Sequence, residues 1–431
     1  MMEITQLYHL FKTHPVVTTD SRNIPVNSLF FALKGENFNG NNFAAEALAK
    51  GAAFAIVDER PTQMNEHTIL VENVLECLQK LANFHRNQLG IPILAITGTN
   101  GKTTTKELVT AVLSKKYNVV STKGNLNNHI GVPLTLLSMT ETTEFGVVEM
   151  GASHPGEIKA LCEIANPNFG LITNIGKAHL EGFGSFEGII KTKSEMYDFI
   201  RAKNGKCFLN ADNPILTKQA TGIEQIKYGL STSYYLTGEI AGSGNYLVVK
   251  ALFPKGWLYL KSNLIGNYNC ENLLAAACVG KYLDVDPLKI QEAIAEYTPS
   301  NNRSQLIQKE KNTVIMDAYN ANPTSMMAAL TNFSEMASEN KCLILGDMLE
   351  LGESSEEEHQ RIVDYIDSRE FDNVFLVGSQ FKNTTSTKQK EKFDHVELLS
   401  NHLKTQPNEN KLVLIKGTRG IQLERIIEIQ L

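Results

Sequence analysis

The chain has 431 residues, of which 42% are hydrophobic and 20% charged, and its formal net charge is -6. This length predicts about three domains rather than a single core. The composition is that of a globular protein, and the negative charge excludes a broad nucleic-acid-binding surface, which would need clustered lysine and arginine.

The cysteines and the apolar segments bear on the compartment of the protein. Six cysteines are spread along the chain without a C-x-x-C pair, so we expect reduced cysteines in cores rather than a zinc ribbon or a disulfide framework. The N-terminus has no long apolar stretch after a basic start, and no run of about eighteen apolar residues occurs. We therefore expect a cytoplasmic protein without a membrane span.

Residues 1–88 are predicted to form a small α/β domain. Strands are predicted at 15–19, 29–33 and 53–58, and helices at 43–50 and 71–88. The second helix is followed by Gly90 and Pro92, which are typical of a boundary between domains.

The next strand, predicted at 93–97, runs into the stretch T-G-T-N-G-K-T-T at 97–104. Glycines let backbone N–H groups surround phosphate oxygens, Lys102 can reach the terminal phosphates, and a threonine hydroxyl can bind Mg²⁺. The usual spacing would put the first glycine at the position of Ile96. A structural corner that carries a lysine is the alternative to a variant phosphate loop. The predicted ATP-binding residues are Gly98, Thr99, Asn100, Gly101, Lys102, Thr103 and Thr104.

Residues 89–299 alternate strands and helices, which predicts a mostly parallel sheet with helices on both faces and ligands at the carboxyl ends of its strands. After 93–97, strands are predicted at 118–121, 146–150 and 169–174, and helices at 102–115, from about 155, and at 189–201. Alternating segments at 234–240, 246–253 and 256–260 then predict an antiparallel flap. Helices at 270–283 and 287–296 lead to a polar break at 298–303.

Residues 300–431 contain four further apolar segments that predict strands, with helices between them. These segments are 313–317, 342–345, 374–377 and 412–416. The pattern predicts a second open α/β sheet that has no phosphate loop.

Three residues of the central domain are candidates for metal chemistry. Glu149 ends an apolar strand beside the phosphate loop, where a carboxylate can reach a metal ion; a strand-end carboxylate that faces water is the alternative. His179 follows the strand at 169–174 through a short loop, although isolated histidines are more often surface or core residues. Lys193, judged by its pattern alone, is an ordinary solvated lysine of a helix.

Two polar turns follow predicted strands of the last domain. In the turn at 317–323, an acidic, aromatic and amide-rich sequence breaks a buried strand, so we expect Asn320 and Asn322 to face a polar substrate. In the second turn, Lys416 and Arg419 supply two cations that could bind a phosphate or a carboxylate.

Several motifs carry a resemblance to a known family. They are D-S-R at 20–22, F-A-L-K-G at 31–35, T-G-T-N-G-K-T-T at 97–104, G-N-L-N-N-H-I-G-V-P at 124–133, E-M-G-A at 149–152, A-H-L-E-G-F-G-S at 178–185 and N-A-N-P at 320–323. On these motifs the chain resembles the ATP-dependent Mur ligase family over essentially its whole length. The resemblance implies a central phosphate-loop domain (89–299) between an N-terminal domain for a nucleotide-linked substrate (1–88) and a C-terminal Rossmann-like domain (300–431).

The last two motifs are most similar to the members of this family that join D-alanyl-D-alanine to UDP-N-acetylmuramoyl-tripeptide. The resemblance therefore implies an ATP-dependent amide-bond ligase of peptidoglycan precursor synthesis that acts through an acyl phosphate. The implied cofactors are ATP and Mg²⁺, together with a carbamylated lysine formed from CO₂. The implied partners are these two substrates, without nucleic acid or membrane, and we expect a monomer.

The resemblance assigns catalytic and metal-binding roles by position. Lys102 and Thr103 match residues that bind the ATP phosphates and Mg²⁺. Glu149 and His179 match Mg²⁺ ligands, and Lys193 matches the carbamylated lysine, which would also contact the metal. Lys102, His179 and Lys193 are therefore the predicted catalytic residues.

Further positions match binding residues of the family. Asn272 matches an amide that contacts adenine, although the histidine expected before it is Tyr268 here. Arg303 and Asp317 match residues that close on ATP. Ser21, Arg22, Gly35, Glu36 and Asn37 fall where the uridine nucleotide binds, and Asn127 and Asn128 fall near the muramyl group.

Other classes of protein remain as alternatives. A related ligase that adds the third amino acid typically has D-Y-A-H-T-P where this chain has 317–323, and often a D-N-P-R motif, which is absent here. Folate-polyglutamate ligases share the phosphate loop but lack an N-terminal domain resembling 19–57. A scaffold protein would be expected to have lost Lys102, Glu149 or His179, and a motor or switch ATPase would hydrolyse ATP without an amino-acid substrate.

Overall fold

The computed structural model describes residues 2–60, 65–243, 246–300, 302–309, 311–388, 390–405 and 410–427. In this part of the chain the strands form sheets of four, nine and six strands and a separate two-stranded hairpin. The α/β class predicted from the sequence is confirmed. The domain boundaries at 88/89 and 299/300 stay predictions, and Asn301 of the polar break lies outside the described residues.

The N-terminal sheet has four parallel strands in the order β1-β2-β5-β6. The elements are α1 (Ile4–Thr13), β1 (Val16–Thr18), β2 (Ser28–Phe31), β3 (Lys34–Gly35), β4 (Phe38–Asn39), α2 (Ala44–Ala49), β5 (Phe54–Val57), β6 (Thr68–Leu70) and α3 (Val74–Leu89). The predicted strands and helices are present. Strand β6 and the β3–β4 hairpin were not predicted, because they are too short to show a period. Helix α1 was not predicted either, although Leu7 and Phe11 lie one turn apart on its buried face.

Helix α3 connects the N-terminal and central parts of the molecule. It begins later than predicted because the Asn73 side chain caps it, accepting a hydrogen bond from the Glu76 N–H at 2.9 Å. Its buried residues share one hydrophobic cluster with residues of the central domain. Arg86 also donates to the Ala165 carbonyl at 2.9 Å and to Asn168 Oδ1 at 2.8 Å. The N-terminal sheet is therefore joined firmly to the central one.

The central sheet has nine strands in the order β15-β14-β13-β12-β11-β10-β7-β9-β8. Its strands are β7 (Ile93–Thr97), β8 (Val119–Ser121), β9 (Phe145–Glu149), β10 (Phe169–Ile172), β11 (Lys206–Asn210), β12 (Glu224–Gly229), β13 (Leu236–Ser243), β14 (Leu247–Phe253) and β15 (Gly256–Lys261). The helices are α4 (Lys102–Leu113), α5 (Gly131–Leu137), α6 (Glu157–Ala165), α7 (Leu180–Phe183), α8 (Phe186–Ala202), α9 (Pro214–Gln219), α10 (Cys270–Tyr282) and α11 (Pro287–Glu296). The seven strands β7 to β13 run parallel to one another.

Strand β7 at the middle of this sheet is buried on both faces. Ile93 and Ala95 face a cluster that includes α5, α6 and α8, whereas Leu94 and Ile96 face a cluster that includes α4, α10 and α11. An apolar run without alternation is the expected sequence of such a strand. The carboxyl end of β7, where the phosphate loop begins, is thus fixed by packing from both sides.

The segment predicted as a flap is an extension of the central sheet. Strands β13, β14 and β15 pair antiparallel as predicted. However, β13 also pairs in parallel with β12, through Tyr228–Leu236 and Gly229–Thr237. Because Val249 and Ala251 of β14 are buried in the cluster that contains α10, the extension cannot move as a separate flap.

The C-terminal sheet has six strands in the order β16-β17-β21-β18-β19-β20, and only the edge strand β16 is antiparallel. The elements are β16 (Gln305–Gln308), β17 (Thr313–Asp317), α12 (Pro323–Glu335), β18 (Lys341–Gly346), α13 (Ser355–Asp367), β19 (Asn373–Val377), α14 (Ser379–Lys382), β20 (Glu391–Phe393), α15 (Val396–Thr405) and β21 (Leu412–Lys416). The four predicted strands are present, and the two edge strands were not predicted. Adjacent β17 and β21 place Asp317 beside Lys416.

All six cysteines are free, and all but the partly buried Cys77 lie in cores, as predicted. Of the helices that the structure describes, none combines the length and the apolar character needed to cross a membrane.

Candidate active site

The loop between β7 and α4 can be built only with glycine at two of its positions. Gly98 has a φ of +140° and Gly101 a φ of +76°, a backbone conformation that glycine adopts without strain. A Cβ atom on Gly98 would lie 2.0 Å from Thr173 Oγ1, and one on Gly101 would lie 2.6 Å from Asn272 Oδ1. Conformation and space together therefore fix both glycines.

The segment after the neighbouring strand β10 holds this loop in place. The Thr99 hydroxyl accepts a hydrogen bond from the Gly176 N–H at 3.0 Å and donates to the Gly176 carbonyl at 3.2 Å. The Asn100 N–H donates to Asn174 Oδ1 at 3.0 Å. The loop is thus shaped in advance for a ligand at the N-terminus of α4, where backbone N–H groups and the helix dipole favour an anion.

The Lys102 ammonium lies over the loop. It donates to the carbonyl oxygens of Gly98 at 2.8 Å and of Thr99 at 2.9 Å. Burial lowers the pKa of Lys102 to about 8; the Glu149 carboxylate opposes this shift and the Arg303 guanidinium adds to it. A cation in this position is suited to the terminal phosphates of a nucleotide.

Glu149 is a buried carboxylate at the carboxyl end of β9, and it pairs in register with Ile96 of β7. Its side chain is 1% exposed, and its Oε1 accepts a hydrogen bond from Asn127 Nδ2 at 2.7 Å. Its Oε2 is buried and has no hydrogen-bond partner among the described residues. Because an unpartnered buried carboxylate oxygen is costly, this atom is suited to binding a cation.

The side chains around Glu149 fit Mg²⁺ bound together with a nucleotide. Among the described residues, no three histidine, cysteine, aspartate or glutamate side chains group as a metal cage. Mg²⁺ at nucleotide sites is usually held by one or two carboxylates together with phosphate oxygens and water. Glu149 supplies one carboxylate, and the buried Thr103 hydroxyl lies in the first turn of α4.

His179 precedes the short helix α7 and adopts a left-handed backbone conformation with a φ of +49°. Its Nδ1 contacts the carboxylate of Glu350, which comes from the C-terminal domain. Burial lowers the pKa of His179; Glu350 opposes the shift, and the charges of Lys102 and Lys193 add to it. The structure therefore brings these three basic side chains within electrostatic reach of one another.

Lys193 of α8 is buried, in contrast to the solvated position that its pattern predicts. The side chain is 3% exposed, and its Nζ donates to the Ala152 carbonyl at 3.3 Å and lies 5.2 Å from the centre of the Phe183 ring. Burial, followed by repulsion from Lys102, lowers the pKa of Lys193 to about 7. A lysine of this kind is largely a neutral amine under mildly basic conditions, and a neutral amine is a nucleophile.

The C-terminal domain contributes a charged group next to the loop. The Arg303 guanidinium stacks 3.7 Å from the centre of the Tyr319 ring. Asp317 accepts hydrogen bonds from the Ser304 N–H at 3.1 Å and from Lys416 Nζ at 2.5 Å. Lys416 is 2% exposed and is held by this pair with Asp317, and its role in binding substrate stays a prediction.

Asn322 links the C-terminal domain directly to the phosphate loop. Its Nδ2 donates to Asn100 Oδ1 at 2.8 Å, and its Oδ1 caps α12 by accepting a hydrogen bond from the Ser325 N–H at 2.9 Å. Asn320 bonds within its own turn, to the Ala321 N–H at 2.9 Å. The turn at 317–323 therefore faces the phosphate loop.

Comparison with known proteins places these features in a family. A model described as "Mur ligase middle domain" matches residues 96–280, "Mur ligase, glutamate ligase domain" matches 302–419, and "Mur ligase family, catalytic domain" matches 15–86. The UDP-N-acetylmuramoyl-tripeptide--D-alanyl-D-alanine ligase of Bacillus subtilis (strain 168) is 35% identical, over 96% of this chain and 92% of the relative. This chain belongs to the Mur ligase family.

Solved structures agree with this assignment. MurF from Acinetobacter baumannii superposes with a TM-score of 0.86 and 30% identity, over 96% of this chain and 92% of that chain. The MurF ligase from Thermotoga maritima, solved in complex with ADP, superposes with a TM-score of 0.86 and 27% identity, over 100% of this chain and 98% of that chain. This Mur ligase thus has the fold of these enzymes over nearly its full length.

Two predicted binding residues, Asn272 and Asn128, also form hydrogen bonds within this Mur ligase. Asn272 is 6% exposed, accepts a hydrogen bond from Thr105 Oγ1 at 2.9 Å and donates to Asn269 Oδ1 at 2.8 Å. Its amide therefore supports the phosphate loop, and its contact with adenine stays a prediction. The Asn128 side chain accepts a hydrogen bond from the Gly131 N–H at 2.9 Å and so stabilises the start of α5. Its place near a muramyl group stays a prediction.

The predicted uridine-binding residues lie in the N-terminal domain, apart from the phosphate loop. Arg22 forms two hydrogen bonds of 2.9 Å with Asp20 and holds the pKa of that carboxyl at about 2. Gly35, Glu36 and Asn37 are exposed on the β3–β4 hairpin. The roles of these residues, of Ser21, and of the exposed Arg419 stay predictions.

Some residues of the site were not predicted from the sequence. Asn174 and Tyr319 follow strands, so their position at a carboxyl end was a usable signal. Glu350 and Thr105 act on residues far along the chain, on His179 and Asn272 respectively, and no local pattern points to them.

Proposed function

We propose that this Mur ligase uses ATP to join D-alanyl-D-alanine to UDP-N-acetylmuramoyl-tripeptide, a step of peptidoglycan precursor synthesis. The observation that carries the proposal is the phosphate loop, with Lys102, Glu149 and His179 beside it, in a chain 35% identical to a relative of that name over 96% of its length. Lys102 interacts electrostatically with both Glu149 and His179, which supports the transfer of a phosphoryl group at a site formed by these side chains.

The chemistry of the proposed reaction requires the carboxylate to be activated. A carboxylate is a poor electrophile, so it takes the γ-phosphoryl group of ATP and becomes an acyl phosphate, with release of ADP. Lys102 stabilises the negative charge on the transferring group. The amine of the dipeptide then attacks the carbonyl carbon, phosphate leaves, and an amide bond forms.

Glu149, Thr103 and His179 are the side chains that would hold Mg²⁺ in this reaction. When bound, the ion neutralises phosphate charge and orients the phosphates for transfer. Asn127 holds one oxygen of Glu149 at 2.7 Å and thereby directs the other oxygen. Glu350 contacts the imidazole of His179 and so fixes the orientation of its ring.

Lys193 is proposed to carry a carbamate. Its neutral amine adds to the carbon of CO₂ and loses one proton, which leaves an anionic carbamate with two oxygen donors. The pKa of about 7 that burial and Lys102 give Lys193 supports this step, because the neutral amine is required. Oxygen donors also suit a hard cation, whereas an ammonium would repel it.

The proposal extends to the cellular compartment and the oligomeric state of the protein. Because the reaction consumes ATP, we infer a cytoplasmic location, and because each domain of one chain can supply one substrate site, we infer a monomer. The Asn100–Asn322 link supports closure of the C-terminal domain over the nucleotide, which would shield the acyl phosphate from water.

A phosphate-release assay with a panel of acceptors tests this function. We expect phosphate and ADP to form only with UDP-N-acetylmuramoyl-tripeptide and D-alanyl-D-alanine together, in equal amounts with a product that mass spectrometry identifies. Omission of each substrate in turn is the control. Equal turnover of a muramyl-dipeptide with diaminopimelate or lysine would assign the chain to a different ligase, and turnover without any acceptor would make it an ATPase.

A further inference from the structure

Lys177 joins the central domain to the C-terminal domain through an ion pair. Its Nζ lies 2.5 Å from Oε1 of Glu358, a residue of α13. The Glu358 side chain is 3% exposed, whereas the Lys177 side chain is 43% exposed. The pair lies in the wall of a cleft of about 440 Å³ between the domains, which Tyr268, Pro323 and Met327 also line.

Lys177 is the closer of the two cations that pair with the buried carboxylate of Glu358. The other carboxylate oxygen, Oε2, has no hydrogen-bond partner among the described residues and forms only a longer ion pair, of 3.6 Å, with Arg361 of the same helix. A buried carboxylate that loses its paired cation is strongly unfavourable. The contact between α13 and the segment that carries Lys177 is therefore favoured over a separated arrangement.

Lys177 also lies between the phosphate loop and α12. The preceding residue, Gly176, is bonded on both its N–H and its carbonyl to the Thr99 hydroxyl, at 3.0 and 3.2 Å. The Lys177 N–H donates to Thr324 Oγ1 of α12 at 3.0 Å. His179 follows two positions later. Just before His179, the segment is thus fixed to the loop through Gly176 and to the C-terminal domain through the Lys177 N–H.

From this geometry we infer that Lys177 and Glu358 are positioning residues. They hold the C-terminal domain against the segment that carries His179, and so place His179 correctly beside the phosphate loop. The inference rests on the proposed ligase function and deepens it. The pair acts through His179 and the loop, and it contacts neither substrate. Loss of either charge should lower kcat and loosen the segment without changing the affinity for the acceptor.

Substitution of the two partners tests the inference. We expect Lys177→Met and Glu358→Gln each to lower kcat by about tenfold, because small displacements of reacting groups are costly. The KM for D-alanyl-D-alanine should remain as in the unmodified chain. Hydrogen exchange of residues 175–183 should become faster in both variants. Lys177→Arg keeps the charge, so its kcat and its rate of hydrogen exchange at 175–183 should both remain as in the unmodified chain.

Lys115 provides a matched control, because it pairs with Glu292 and Glu296 inside the central domain at 2.9 and 2.7 Å. Lys115→Met should leave kcat and the exchange of 175–183 unchanged, and thermal unfolding checks that every variant is folded. Unchanged kcat and exchange in both pair variants would overturn the inference. A rise only in the KM for the dipeptide would overturn it too, since Lys177 would then be a substrate-binding residue of the cleft.

The measurements separate this inference from the proposed function. If the unmodified chain releases no phosphate with the two proposed substrates, the function is wrong. The exchange comparison needs no turnover and still decides whether the ion pair fixes the His179 segment.

Discussion

At the scale of single residues, burial sets the chemistry of two lysines at the candidate site. Lys102 and Lys193 each have a lowered pKa, about 8 and about 7, because burial disfavours the ammonium. Lys102 has the carboxylate of Glu149 nearby, which favours its charged form, whereas repulsion from Lys102 favours the neutral form of Lys193. The two side chains are therefore suited to different tasks, one to stabilise a phosphate and the other to act as an amine.

Lys102 should contribute more to catalysis than to binding of ATP. We expect Lys102→Ala to lower kcat by on the order of a hundredfold or more, because its charge meets negative charge that develops in the transition state. Steady-state kinetics with each substrate in turn would measure this change. Circular dichroism would show whether the variant is folded. Near-normal turnover in the folded variant would mean that the loop is purely structural.

Lys193 should be required for activity but not for folding. We expect Lys193→Ala to be folded and nearly inactive, and partly restored by a small added carboxylate that supplies the missing oxygen donors. In the unmodified chain, a ¹³C NMR signal of a carbamate should grow from about pH 6 to about pH 8, because the neutral amine becomes more abundant as the pH rises above its lowered pKa. An active enzyme whose Lys193 shows no such signal under ¹³CO₂ would contradict the carbamate.

At the scale of elements, the phosphate loop depends on residues of three segments. Asn174 follows β10, Asn272 belongs to α10, and Asn322 begins α12, and each bonds to the loop or to the start of α4. Such a loop is shaped before it meets its ligand, so little ordering is needed on binding.

Substitution of Gly101 tests how closely the phosphate loop is packed against α10. Gly101→Ala should abolish ATP-dependent turnover and destabilise the fold, because its Cβ would lie 2.6 Å from Asn272 Oδ1 at a φ of +76°. Gly90 is the matched control, since it has a φ of +65° and no atom within 4 Å of its Cβ position. Gly90→Ala should cost only about 1 kcal/mol for the left-handed conformation and keep activity. Chemical denaturation and turnover would be compared, and equal effects of both variants would argue against a close fit.

At the scale of the whole molecule, polar pairs cross the interface between the central and C-terminal domains, where Ile265 and Leu180 of the central domain also pack against the C-terminal core. The C-terminal domain meets the central one through Asn322 with Asn100, Glu358 with Lys177, and Glu350 with His179. In contrast, α3 buries apolar residues in a cluster shared by the N-terminal and central domains. An interface with several polar pairs separates more readily than one that shares a large apolar cluster, so motion is expected at the C-terminal domain.

Small-angle scattering would measure this motion. We expect the radius of gyration to fall when an ATP analogue and both substrates are added, because the ligands bridge residues of different domains and favour the closed arrangement. An ATP analogue with only one substrate serves as the control. Identical profiles with and without ligands would contradict closure.

The sequence by itself was sufficient for features that depend on local order along the chain. It predicted the phosphate loop, since β7, the glycines, Lys102 and the hydroxyls are consecutive. It also predicted β7, β9 and β10 and four strands of the C-terminal sheet, since strands buried on both faces are continuous apolar runs. It missed β11, although this strand is also buried on both faces. Glu149 could be found because it ends one of these runs beside the loop.

Tertiary structure decided which distant side chains meet. Thr105 and Asn272 are separated by 167 positions, and Asp317 and Lys416 by 99, so no local period relates them. Lys193 looked solvated because a helical lysine usually is, yet the packing of α8 against its neighbours buries it. The extension β13 to β15 was identified as antiparallel but not as part of the central sheet, because its pairing with β12 is set by the sheet and not by its own alternation. Periodicity reports which face of an element is buried, whereas only the assembled fold determines what lies against that face.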